Sequence, residues 1–131
     1  MRMLALVAAL LPGPLLAQDT PMTAAEFEAF VTGKTLSYGR QGEAPYGTEE
    51  YLPDRQVRWA FTGEECKDGV WYAEGALICF VYDDDPEPQC WQFFAGPDGL
   101  RADFAGREDA PIYSVRESEE PLFCPGPRIG V

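Results

Sequence analysis

The chain has 131 residues, with three Trp, six Tyr, eight Phe, four Cys and no His, and a net charge of −12 at neutral pH. Without histidine the commonest general base and metal ligand are missing, which removes Ser-His-Asp, Cys-His and His-based zinc chemistry. The acidity opposes binding to nucleic acid, whose phosphates must be met by Lys and Arg, and to anionic membrane surfaces.

Met1-Arg2-Met3 carries one positive charge, and Leu4 to Leu11 is an unbroken apolar run. Pro12-Gly13-Pro14 interrupts the run and Leu15-Leu16-Ala17 ends it before polar Gln18. A basic start, an apolar centre and a small residue at the cut predict a signal peptide over 1–17, cleaved after Ala17. The apolar part is too short and too broken to span a bilayer, so the expectation is no membrane insertion after cleavage. What remains, 18–131, reads as a single periplasmic or secreted domain. Four cysteines in an oxidising compartment predict two disulfides.

Thr23-Ala24-Ala25-Glu26 matches a capping box, and Phe27, Phe30 and Val31 recur at helical spacing before Gly33. These predict one short amphipathic helix at about 23–32. Its phenylalanines must pack on a sheet or plug one end of it. Thr35 to Tyr38 and Thr48 to Leu52 read as strands separated by a Gly-rich loop. Gln56 to Phe61 alternates cleanly, with Val57, Trp59 and Phe61 on one face.

From Cys66 to Phe104 three turns fix a register. Glu74-Gly75 as a two-residue turn pairs Trp71 with Ile78. An acidic turn from Asp83 to Pro86 pairs Cys79 with Cys90 and Ile78 with Trp91. Pro97-Asp98 at the centre of a third turn pairs Phe93 with Ala102 and Trp91 with Phe104. Together they put Trp71, Ile78, Trp91, Phe93, Leu100 and Phe104 on one face, a set that a one-residue slip would scatter. Leu77, Cys79, Val81, Cys90 and Phe94 fall on the other face, where the helix or the tail is expected to cover part of them. Ile112 to Val115 is the last predicted strand, and 121–131 is an irregular tail tied down by Cys124.

Directly opposed residues on antiparallel strands lie within disulfide range, which favours Cys79–Cys90 and, by elimination, Cys66–Cys124. Sequence leaves the other two connectivities open. The fold class expected is mostly β: a small antiparallel barrel or sandwich of about seven or eight strands with one short helix.

The acids Asp83, Asp84, Asp85 and Glu87 could be read as a calcium site, but the segment lacks the glycine of a calcium loop, and Phe94 stands where the bidentate Glu should be. A solvated hairpin tip is the expected reading. The cysteines lack paired C-x-x-C spacing for zinc. Ser37, Ser114 and Ser118 lie in no nucleophile context. Trp71, Trp91 and Phe93 follow strand alternation, as core packing requires, though small barrels also hold ligands. The expectation is therefore no catalytic residue, no metal and no cofactor.

At Cys66-x-x-Gly69-x-Trp71, Ile78-Cys79-Phe80 and Cys90-Trp91 the chain resembles a group of small exported bacterial β-barrel proteins of unknown function. They share a G-x-W strand followed by an I-C-F and a C-W strand, and the resemblance runs from Gly33 to Phe104. It implies an exported β-rich domain and no activity. Periplasmic lysozyme inhibitors offer a looser analogy of fold and charge, without an inhibitor loop to carry over. The expected role is a non-catalytic binding or envelope-associated module. The alternatives are an inhibitor of a cationic lytic enzyme, or a barrel whose pocket takes a small apolar ligand beside Trp71 and Trp91.

Overall fold

Thr23 begins the regular structure: its hydroxyl accepts the Glu26 amide at 3.2 Å and starts α1 (Ala24–Val31). Thr32 ends the helix by donating both its amide and its hydroxyl to the Glu28 carbonyl. Gly33 then turns the chain at φ 84°, a left-handed conformation that glycine adopts at low cost. The structure is a computed structural model and describes residues 20–125; the expected signal peptide lies outside the described residues, as does the tail beyond 125.

Eight strands follow: β1 (Thr35–Gly39), β2 (Gly47–Tyr51), β3 (Gln56–Phe61), β4 (Lys67–Glu74), β5 (Leu77–Tyr82), β6 (Asp85–Gly96), β7 (Gly99–Phe104) and β8 (Ile112–Ser118). Each pairs antiparallel with the next, and β8 returns to β1, closing a barrel. Closure, which decides barrel over sandwich, gives each of these strands a partner on both sides. Alternation sorts the side chains. Leu36, Tyr38, Glu49, Tyr51, Val57, Trp71, Ile78, Phe80, Phe93, Leu100 and Ala102 are buried in the interior.

One turn departs from the sequence reading. Gly75 and Ala76, not Glu74 and Gly75, form the β4–β5 turn, so Glu74 pairs with Leu77 and Trp71 with Phe80. Gly75 takes the first central position with φ 58°, the place where a type II′ hairpin wants glycine. The pairing moves by two residues, so every side chain keeps its face. The acidic turn is also tighter than expected. Asp83 and Asp84 form it, β6 starts at Asp85, and the register shifts between Phe80 and Tyr82. Pro86 and Pro88, which lack an N–H, fall in that shift. The later pairings, Cys79 with Cys90, Trp91 with Phe104 and Phe93 with Ala102, are those read from sequence.

Disulfides join Cys79 to Cys90, with Cα atoms 4.0 Å apart, and Cys66 to Cys124, 5.5 Å apart. They indicate an oxidising compartment. Residues 121–125 form no regular element, yet they are held: the Leu122 amide donates to Glu50 Oε2 at 2.7 Å, and Cys124 is disulfide-bonded to Cys66. The helix does not cover the outer face of β5 and β6, because it is turned into the barrel. Arg101 covers Phe94 instead, its guanidinium 4.2 Å from the ring centroid. Among the described residues no helix is long and apolar enough to cross a membrane.

Candidate functional site

Phe27 divides the barrel. Its ring meets Phe93 at 4.4 Å, Trp71 at 5.2 Å and Tyr51 at 5.7 Å between centroids, and it is fully buried. The helix carrying it is fastened at several points. The Met22 amide donates to the Phe93 carbonyl at 2.7 Å, Gly33 donates to the Tyr51 carbonyl, and Arg55 pairs with Glu28 at 3.3 Å. The end of the barrel that receives α1 is thus filled with aromatic rings. An eight-stranded barrel is just wide enough for its side chains or for one small guest, and at this end side chains take the room.

The other half is open. A cavity of about 310 Å³ lies there, at the small end of the range for small-molecule sites. Tyr51, Phe80 and Phe93 touch Phe27 on one side and line the cavity on the other, so they form its floor. Tyr38, Trp59, Tyr82, Trp91 and Ile112 also line it. Tyr46 and Phe61, 38% and 40% exposed, stand at the rim with Lys67, Asp84 and Asp85. Lys67 and Asp84 are joined by an ion pair of 2.7 Å between the start of β4 and the β5–β6 turn.

Two inward glycines shape the walls. A Cβ on Gly47 would collide with the Trp59 ring, and one on Gly69 would lie 2.5 Å from the Val81 carbonyl oxygen and 2.7 Å from Tyr82 Cδ1. Their bare backbones let both rings lie against the neighbouring strand, which keeps the space between them clear. Glycine inside a strand commonly marks such a close approach.

The polar centre is Glu49, on β2 between Gly47 and Tyr51 and only 1% exposed. Its Oε1 accepts a hydrogen bond from the Tyr82 hydroxyl at 2.9 Å. Its Oε2 is buried with no hydrogen-bond partner among the described residues. Nearby, the Tyr38 and Tyr51 hydroxyls are bonded to each other at 2.7 Å. Burial pushes the Glu49 carboxyl up to about 8, against the Tyr82 bond, which favours the charged form. Burial likewise drives the Tyr38, Tyr51 and Tyr82 hydroxyls up, with Glu49 adding to each shift. At neutral pH the site therefore holds a protonated acid beside neutral phenols.

Of the aromatic residues singled out from sequence, Trp91 and Phe93 line the cavity, whereas Trp71 does not. Trp71 packs against Phe27 at the filled end, with the Arg55 guanidinium 4.4 Å from its ring. The cysteines stand apart from the cavity lining. Glu74 lies near Cys79 and Cys90, but both sulfurs are in the disulfide, leaving one carboxylate for any metal. The acidic hairpin supplies Asp84 and Asp85 to the rim.

Sequence reading missed Glu49, Tyr38, Tyr51 and Tyr82. A signal was present: in a strand from 47 to 51, an inward Tyr51 places Glu49 on the inward face as well. No protein-family model, curated protein or solved structure matches the chain.

Proposed function

We propose that the protein is a non-catalytic binding domain that takes a small organic molecule into the open half of its barrel. In this reading the leader over 1–17 exports it, and it works in the periplasm or outside the cell. The observation that carries the reading is Glu49: a carboxyl with an unpartnered oxygen, buried beside an aromatic-lined cavity. An unsatisfied buried polar group costs about 1–3 kcal/mol. A barrel built only for stability would place an apolar side chain there and let it fill the space. The cavity's volume, its aromatic walls and its few polar groups, Glu49, Gln89 and the tyrosine hydroxyls, are the usual composition of a small-molecule site.

The test uses the cavity's own tryptophans. Titrating the oxidised protein with 1-naphthol, a neutral two-ring probe, should give saturable quenching of tryptophan emission. Trp91→Phe should remove part of that quenching, while Trp71→Phe, behind the Phe27 layer, should leave it intact. The reading is abandoned if aromatic probes of every charge leave the emission and the indole NMR signals of Trp59 and Trp91 unchanged.

A further inference from the structure

We infer that the ligand is an organic cation, a primary or secondary amine on a small apolar body, with its ammonium group on Glu49 and its body between the aromatic walls. The inference rests on the reading of the cavity as a ligand site and assigns that ligand's chemical class.

Three observations converge on it. The first is the orientation of Glu49. Tyr82 occupies Oε1, so the carboxyl's remaining hydrogen-bonding capacity lies at Oε2, which no neighbour uses. Once ionised, that oxygen accepts and cannot donate, so the partner that would stabilise the carboxylate is a donor, and a charged donor makes the stronger bond.

The second is the balance of charge. The cavity lining holds three acids, Glu49, Asp84 and Asp85, and one base, Lys67, whose ammonium is already paired with Asp84. An anionic ligand would face these acids with the lining's one base already paired. A cation meets attraction at the rim and again at the base, and the net charge of −12 favours its approach.

The third is the wall. Trp59, Tyr82 and Trp91 line the cavity, and indole and phenol rings attract cations through their quadrupoles, more strongly where water is excluded. Such walls suit an ammonium whose counter-charge Glu49 supplies.

Binding also has a proton balance. Near pH 7 the Glu49 carboxyl carries a proton, and an ammonium ion binds best to the carboxylate. The O–H bond of Glu49 therefore breaks as the ammonium N–H···O contact forms, and the proton leaves to solvent. The other titratable groups facing the site are Tyr38, Tyr46, Tyr51 and Tyr82, all shifted upward, with Asp84, Asp85 and Lys67 at the rim. None of the tyrosines ionises near neutral pH, so the released proton is assigned to Glu49. Affinity should rise about tenfold per pH unit between pH 6 and about 8, then level off.

Calorimetry on the oxidised protein with matched probes decides the matter. The trios are phenethylamine, 2-phenylethanol and phenylacetate, and tryptamine, tryptophol and indole-3-acetate. At pH 8 the amines should bind at least about tenfold more tightly than the alcohols, with no measurable binding of the acids. In wild-type protein at pH 7, amine binding should release close to one proton, read from buffers of different ionisation enthalpy, and this needs no variant. Glu49→Gln should abolish both the amine preference and the proton release while retaining alcohol binding. Alcohols binding as well as amines, or an amine preference that survives in Glu49→Gln, would overturn the inference and leave the ligand site standing. Failure of all six probes would overturn both.

Discussion

The Glu49 carboxyl keeps a proton in the folded chain that it has already released in the unfolded chain at neutral pH. Its ordinary value is 4.5, and burial raises it to about 8. Between those two values the folded state binds more protons, so stability falls as pH rises, by about 1.4 kcal/mol per unit, and levels off above 8. The Tyr38, Tyr51 and Tyr82 hydroxyls around it are pushed upward and add nothing in this window. Glu49→Gln keeps the shape and removes the proton, so its advantage over wild type should grow by a few kcal/mol from pH 5 to pH 8. Urea unfolding of both proteins across that range measures the difference, in which the other carboxylates cancel. Parallel stability curves would show that Glu49 is not held protonated. The residue was only half legible in the sequence. Alternation marks Glu49 as inward once Tyr51 is, but Glu50 beside it looks the same and faces outward to accept the Leu122 amide. The difference between them lies in what the barrel's far wall supplies: Tyr82 reaches Glu49 from 33 residues away.

Strand and helix signals were largely readable because each had a local physical cause. Thr23 caps α1, and the period of Phe27 and Val31 gives it one buried face. The turn glycines set strand lengths, and the one turn read differently moved by two residues, which alternation tolerates without inverting a face. Which way the helix would point was not readable, because that depends on closure of the sheet around Phe27. This ring now separates the filled end from the cavity. Phe27→Ala should cost about 3–5 kcal/mol and lower the melting temperature sharply. Gly69→Ala acts where β4 meets β5. The new methyl group would lie 2.5 Å from the Val81 carbonyl oxygen and 2.7 Å from Tyr82 Cδ1, so the β5 backbone and the Tyr82 ring must both shift, the Tyr82–Glu49 bond is disturbed, and probe binding should weaken together with stability. Thermal melts and 1-naphthol titrations of the two variants check both halves, and a Gly69→Ala protein that binds as wild type does would remove Tyr82 from the site.

The whole barrel is closed by pairings that range from hairpins to the return of β8 onto β1, and the disulfides act one within a hairpin and one across a long span. Cys79–Cys90 spans 11 residues within one hairpin, whereas Cys66–Cys124 spans 58 and ties the tail to the β3–β4 loop. Loop-closure entropy assigns the short bridge about 3 kcal/mol and the long one about 4 kcal/mol, both by restricting the unfolded chain. The long bridge also fixes the segment in which Leu122 donates to Glu50, so its removal frees that backbone as well. Replacing Cys66 and Cys124 with serine should therefore destabilise more than replacing Cys79 and Cys90, although the hairpin bridge is the more deeply buried of the two. The cavity responds in a different order. Cys79 and Cys90 sit on β5 and β6, the strands that carry Phe80, Tyr82, Trp91 and Phe93 into the ligand site. Loss of the hairpin bridge should loosen those walls and weaken binding of 1-naphthol, while loss of the long bridge should lower stability and leave affinity nearly unchanged at temperatures where the barrel remains folded. Urea unfolding combined with probe titration of the two double variants separates these effects, and an equal loss of affinity in both would mean that the cavity depends on the tail strap.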